Sequence, residues 1–267
     1  MPLICVCSPK GGVGKTTLAA NLTYALARSG SKVLAIDFDM QNALRLHFGV
    51  PLSDERGYVA KSAESYDWGQ DVLTAGGNIF VLPYGDVTEE QRLTFENNLV
   101  NDEHFLARGL GTLLNYPGLV IVADFPPGPS AALKAITPFA DMHLVTLLAD
   151  TASMSLLPHI ENQRLTGGEL NHNHGHFFVI NQSDTRRQIS RDVTAFLEER
   201  LGDRLLGIIH RDESVCEANA SQKSIFDFSP SSAAAFDIEI IARKIVAKLG
   251  INVGDGTVHN VSRKSGL

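Results

Sequence analysis

"CSPKGGVGKTT", residues Cys7–Thr17, lies almost at the start of the chain. A short apolar run, "LICVC" (Leu3–Cys7), precedes it, and an amphipathic stretch from Leu18 to Ala27 follows. A glycine-rich loop between a strand and a helix is the setting that makes a Walker A match specific. Gly11, Gly12 and Gly14 open backbone conformations closed to other residues, so successive N–H groups around Val13 can converge on phosphate oxygens. The helix N-terminus, at Thr16 and Thr17, adds donors and the positive end of its dipole. Lys15 is the point charge for the β- and γ-phosphates, and the Thr16 hydroxyl suits Mg²⁺. Such a loop needs one lysine. Lys10, at its entrance, is a second.

Outward from the loop, "KVLAID" reads as a second buried strand. Further apolar runs recur at "NIFVLPYG", "GLVIVADF", "MHLVTLL", "GHFFVIN" and "LLGIIH". Helical patterns lie between several of them, at Thr151–Gln163 and Ser190–Leu201. Ser231–Leu249 reads as a final helix, with Ala234, Ile238, Ile241 and Ile245 at helical spacing. Uninterrupted apolar strands alternating with helices predict an α/β fold: a mostly parallel sheet with helices on both faces. Right-handed crossovers place the loops after each strand at one edge of that sheet. The segments at 54–70 and 87–105 are polar and read as surface helices and loops. Residues 1–250 are expected to form one domain. Residues 251–267, Gly-rich and polar without periodicity, are expected to form a flexible C-terminal tail.

The carboxylates follow the strands. "VLAIDFDMQNA" places Asp37 and Asp39 at the end of the second strand. With a period of two, both point to the same side. A DxD pair beside a phosphate loop suits Mg²⁺ and water positioning. "LVIVADFPPG" fits a Walker B strand ending in Asp124, whose carboxylate would take a Mg²⁺-bound water. "FFVIN" ends at Asn181, whose carboxamide offers both a donor and an acceptor.

The rest of the composition narrows the choices. The 267 residues are 44% hydrophobic and 20% charged, as in a soluble globular protein. A net charge of −7 argues against a surface that attracts DNA or anionic lipid. Three cysteines, Cys5, Cys7 and Cys216, make no disulfide framework. Cys5 and Cys7 alternate with Ile4 and Val6 and read as small buried residues. No apolar stretch approaches the roughly 20 residues that span a bilayer. A cytoplasmic location is expected. "NHNHGHFF" offers His172, His174 and His176 at alternate positions, either a Zn²⁺ site or a solvated loop before a strand.

"KGGVGKTT" (Lys10–Thr17) resembles the deviant Walker A motif of the MinD/ParA group of ATPases, over nearly all of the chain. The resemblance implies a P-loop NTPase fold of the MinD/ParA (SIMIBI) type. It implies ATP and Mg²⁺ as cofactors, and a slow, dimerisation-dependent ATPase. Lys10 then reaches across a homodimer with ATP sandwiched between the subunits and contacts the phosphates bound to the partner. Asp39 orients the attacking water, and Asp37 and Asp124 help hold Mg²⁺. Asn181 reads adenine, and His210–Asp212, with Arg211 at its centre, flanks the base. The group often reads "DxDPQ"; here Met40 stands for the proline, and Gln41 is in place.

"DFDMQNALRLHFGV", "VLPYG" and "GIIHRDES" are similar to the BcsQ ATPases of bacterial cellulose-synthesis operons. This implies partners among the cytoplasmic subunits of the cellulose synthase complex. The alternative is a ParA-type partition ATPase that binds DNA non-specifically, with a small-molecule kinase a more distant third. Val253, Val258 and Val261 stand isolated in the tail, so it lacks the apolar face that direct membrane insertion would need.

Overall fold

The computed structural model describes residues 1–64, 67–166 and 175–252. The expected tail lies, but for its first two residues, outside that range. In chain order the elements are β1 (Leu3–Cys7), α1 (Lys15–Arg28), β2 (Lys32–Asp37), β3 (Leu73–Gly76), β4 (Ile79–Leu82), α2 (Glu89–Asn101), α3 (Phe105–Leu114) and β5 (Leu119–Asp124). There follow α4 (Ala131–Ile136), β6 (Met142–Leu148), α5 (Thr151–Glu161), β7 (His176–Ser183), α6 (Gln188–Leu201), β8 (Leu205–His210), α7 (Glu213–Ala220), α8 (Ile225–Phe228) and α9 (Ala233–Leu249).

The strands form one sheet in the order β3-β4-β2-β5-β1-β6-β7-β8. Every pairing is parallel except β3 with β4, an antiparallel edge hairpin. Its short alternating strand, "LTAG", offered no apolar run to read. Side chains alternate across the sheet as a pleat requires. Ile4 and Val6 face α1, α8 and α9, whereas Leu3, Cys5 and Cys7 face α2 to α6. Both cysteines are fully buried, as the alternation predicts. Central strands covered on both faces are why "LICVC" and "LVIVA" carry no polar residue. Each fully buried aliphatic side chain there contributes about 1.5–3 kcal/mol.

Helix ends follow local chemistry. Thr88 and Gln91 form a reciprocal capping box that starts α2. Ser232 caps α9, and Gly250 ends it in the left-handed conformation. The polar segment at 54–70 departs from expectation, because Tyr58, Val59 and Trp68 are buried in the core. The Trp68 ring lies so close to α3 that a side chain at Gly109 would meet it at 2.1 Å. Isolated aromatics among polar residues have no period, so only the tertiary fold reveals them.

β1 is flanked by β5 and β6. From β1 the chain crosses to β2 on one side, and after β5 it crosses to β6 on the other. This switch point opens a crevice at the carboxyl ends of the strands, above the start of α1.

Candidate functional site

The crevice is floored by the glycine loop. Gly12 and Gly14 have φ of 73° and 83°, the left-handed region that favours glycine. Gly14 is required twice over, since a Cβ there would lie 2.5 Å from Asn181 Nδ2. No side chain caps α1 and no acidic residue lies in its first turn. Its first N–H groups are thus left for an anion. Lys15, in that turn, is 7% exposed.

Asp37 and Asp124 end adjacent strands in register, and both are fully buried. Asp37 Oδ1 accepts from Asp39 N at 2.9 Å, and its Oδ2 accepts from Leu44 N at 3.0 Å. Burial, reinforced by the charge of Asp124, pushes the Asp37 carboxyl well above the usual range; the two N–H bonds oppose this. β2 stops at Asp37, so Asp39 is not on the strand as the period-two reading supposed. It sits in a turn tied to Asp37, and its own Oδ1 accepts from Gln41 N at 3.0 Å.

Asp124 Oδ2 accepts the Thr16 hydroxyl at 2.6 Å, while its Oδ1 is buried without a partner. Burial pushes the Asp124 carboxyl up to about 6, against the pull of Lys15 and Thr16. Because the Thr16 proton points at Asp124, the Thr16 lone pairs remain for a cation. An orphaned carboxylate oxygen, a hydroxyl oxygen and a second carboxylate form the hard oxygen set that suits Mg²⁺. This ion commonly takes one or two carboxylates plus substrate phosphates.

Sequence reasoning missed the aromatic cluster that follows these carboxylates in the chain and packs in the core on the α2 to α6 side of the sheet. The Phe38 and Phe125 rings stack with centroids 4.9 Å apart. Tyr58 donates its hydroxyl to Asp37 O at 3.2 Å. The Pro126–Gly128 loop is clipped to the glycine loop by Gly128 N to Ser8 O at 2.8 Å.

Lys10 bonds Asp150 Oδ2 at 2.5 Å. Asp150 follows β6 and caps α5, its Oδ1 accepting from Ser153 N at 2.8 Å. Burial alone would raise the Asp150 carboxyl, but the Lys10 and Ser153 bonds hold it below its ordinary value. Nothing in the sequence marked Asp150, which lies 140 residues from Lys10.

A cavity of about 200 Å³ adjoins the loop, lined by Gly14, Thr17, Asn181, Arg211 and Asn219 among others. Asn181 Nδ2 donates to Val13 O at 2.8 Å and its Oδ1 accepts from Gln182 N at 3.0 Å. Its carboxamide therefore braces the loop from the cavity wall. Arg211 is exposed and paired with Glu213 at 3.0 Å, its N–H bonded to Ser183 O. His176 is buried on β7, with its ring 5.5 Å from that of His143 on β6. His172 and His174 lie outside the described residues. Among the described residues, no group of three or more His, Cys, Asp or Glu side chains is arranged to hold a metal ion.

A family model described as cellulose biosynthesis protein BcsQ matches residues 1–246. Cellulose biosynthesis protein BcsQ of Salmonella typhimurium is 25% identical over 235 residues, covering 87% of this chain and 89% of the relative. The fold is shared with solved structures. The ATP complex of a Cyanothece McdA variant superposes with a TM-score of 0.74 at 23% identity, over 94% of this chain and 97% of the other. MinD of Pyrococcus horikoshii, complexed with Mg-ADP, superposes with a TM-score of 0.71 at 21% identity, over 94% and 98%. The mostly parallel sheet is thus that of the MinD/ParA P-loop NTPases.

Proposed function

The chain belongs to the BcsQ family of cellulose biosynthesis proteins, and from that premise we propose that it is an ATP-driven dimerisation switch supporting assembly, localisation or activation of a bacterial cellulose synthase secretion machinery. The observation that carries this reading is the pairing of a complete phosphate loop with a second lysine, Lys10, held at its rim by Asp150.

The residues divide the work. Backbone N–H groups from Gly11 to Thr17 and the Lys15 ammonium bind the phosphates. Thr16, Asp124 and Asp37 would hold Mg²⁺, which would supply positive charge beside the phosphates. Asp39, in its turn beside Asp37, orients the attacking water. Lys10 leaves Asp150 and meets the phosphates of a second subunit, supplying positive charge where it develops. Asn181 and Arg211 border the base. ATP closes the homodimer, hydrolysis opens it, and partners read the closed state.

Those partners are cytoplasmic subunits of the synthase complex, which recruit the protein to the inner membrane or cell pole. Among the described residues no helix is long and apolar enough to cross a membrane. The alternative, a partition ATPase on DNA, suits the same fold, but the net charge of −7 disfavours it.

The test is the ATPase rate per subunit as protein concentration rises. A dimerisation-dependent enzyme shows a rate that climbs and then saturates; a rate independent of concentration overturns the switch. Gel-shift and liposome co-sedimentation with ATP should show no strong binding. Tight, salt-sensitive DNA binding would favour the partition reading.

A further inference from the structure

One polar side chain in the cavity wall has no role in the scheme above. Asn219, on α7, donates from Nδ2 to Thr17 Oγ1 at 3.2 Å, across 202 residues of sequence. The His47 ring lies against the same carboxamide, and the amide oxygen is buried without a well-formed hydrogen bond. Thr17 is gripped on its backbone too. Its carbonyl accepts from Asn21 Nδ2 at 2.9 Å, and Asn21 Oδ1 accepts from Ile225 N at 2.9 Å. The segment after β8 therefore holds this residue of the phosphate loop from two sides.

The direction of the Asn219 bond matters. A hydroxyl has one proton and two lone pairs. An N–H pointed at Thr17 Oγ1 fills a lone pair and leaves the Thr17 proton free to turn toward an anion. We propose that Asn219 is a positioning residue of the nucleotide site, orienting the Thr17 hydroxyl so that it donates to a bound phosphate, and so tying the base-side wall to the phosphate loop. This rests on the nucleotide-site reading above.

Polarity gives the inference its sharpest consequence. In Asn219→Asp a carboxylate accepts the Thr17 proton, takes it away from the phosphate and adds negative charge beside it. In Asn219→Ala the hydroxyl merely loses its orientation.

The experiment is calorimetric titration of the full chain with ATP, paired with steady-state kinetics and thermal melting. Asn219→Ala should weaken ATP binding about three- to tenfold, the worth of one hydrogen bond. KM should rise while kcat stays within about twofold, because the contact is made equally before and during reaction. Asn219→Asp, nearly identical in shape, should bind more weakly than Asn219→Ala. In a Thr17→Val background, Asn219→Ala should cost no further affinity.

Affinity of Asn219→Ala within about twofold of the parent, or losses that add in the double variant, overturns the inference. If Asn219→Ala does not fold, Asn219→Asp decides, and parent-like binding refutes. Failure of the parent to bind ATP overturns the nucleotide-site reading and this inference with it. Binding by the parent that is lost in Lys15→Ala keeps that reading and judges Asn219 alone.

Discussion

Replacing Asp150 with Asn should tighten the ATP-dependent dimer. In the single chain Lys10 is bonded to Asp150 at 2.5 Å, with side chains 23% and 39% exposed. Lys10 must leave that carboxylate before it can serve a second subunit. An ion pair this open to solvent is worth about 0.5–1 kcal/mol once screening is allowed for. Asn219 and the loop glycines are untouched by the change. The α5 cap also survives, since Asn caps helices as well as Asp and keeps an oxygen for Ser153 N. Two such pairs break per dimer, so their removal lowers the cost of closure by about 1–2 kcal/mol. That corresponds to a dimer roughly five- to thirtyfold tighter. Sedimentation equilibrium with a non-hydrolysable ATP analogue reads the constant directly. The gain should shrink as salt is raised, and vanish in a Lys10→Ala background. A dimer that is unchanged or weaker in Asp150→Asn would refute the idea that this pair holds Lys10 back.

The other expectations concern binding and pH. Lys15→Ala should abolish ATP binding in calorimetry while circular dichroism stays that of the parent. Asp124→Asn should end Mg²⁺-dependent hydrolysis yet raise the melting temperature at pH 7.5. Its carboxyl is raised from 3.8 to about 6 by burial, so its stabilisation is full below 3.8 and lost as pH rises through 6. The gain, on the order of 1–3 kcal/mol, should disappear in melts at pH 4. The buried His143 and His176 act in the opposite sense. Burial lowers them from 6.5 to about 3 and about 4, so their stabilisation is present above 6.5 and lost as pH falls. The double variant His143→Leu, His176→Leu should flatten the fall in melting temperature between pH 7 and 5; an unchanged fall would remove the pair as its cause.

Much of the site could be read in the sequence because its chemistry is local. The spacing of Gly11, Gly12, Gly14 and Lys15 fixes a loop whatever surrounds it. Asp37 and Asp124 end uninterrupted apolar runs, and parallel strands carry such ends to one edge. The limit came where chemistry is assembled over distance. Asp150 and Asn219 are ordinary residues in sequence and gain meaning only when β6 and α7 bring them to Lys10 and Thr17. The period-two reading of Asp39 failed for a local reason. Asp37 accepts the Asp39 N–H and turns the chain out of the strand. The aromatic cluster of Phe38, Phe125 and Tyr58 was hidden because its members come from separate loops. His176 looked like part of a polar loop, yet strand pairing sets it beside His143 in the core.

If ATP joins two copies of this chain through Lys10, the molar mass in solution must report it. Size-exclusion chromatography with light scattering would compare the parent, Asp39→Ala and Lys10→Ala, each with ATP and with ADP. Asp39→Ala should bind ATP, hydrolyse it slowly and run as a dimer with ATP and a monomer with ADP. Lys10→Ala should bind ATP as a monomer yet fail to dimerise. Two sets of facing phosphates would each lose a contact worth about 1.5–3 kcal/mol, a shift on the order of a hundredfold or more. If all three proteins show one mass with either nucleotide, the switch is wrong and Lys10 serves only its own loop.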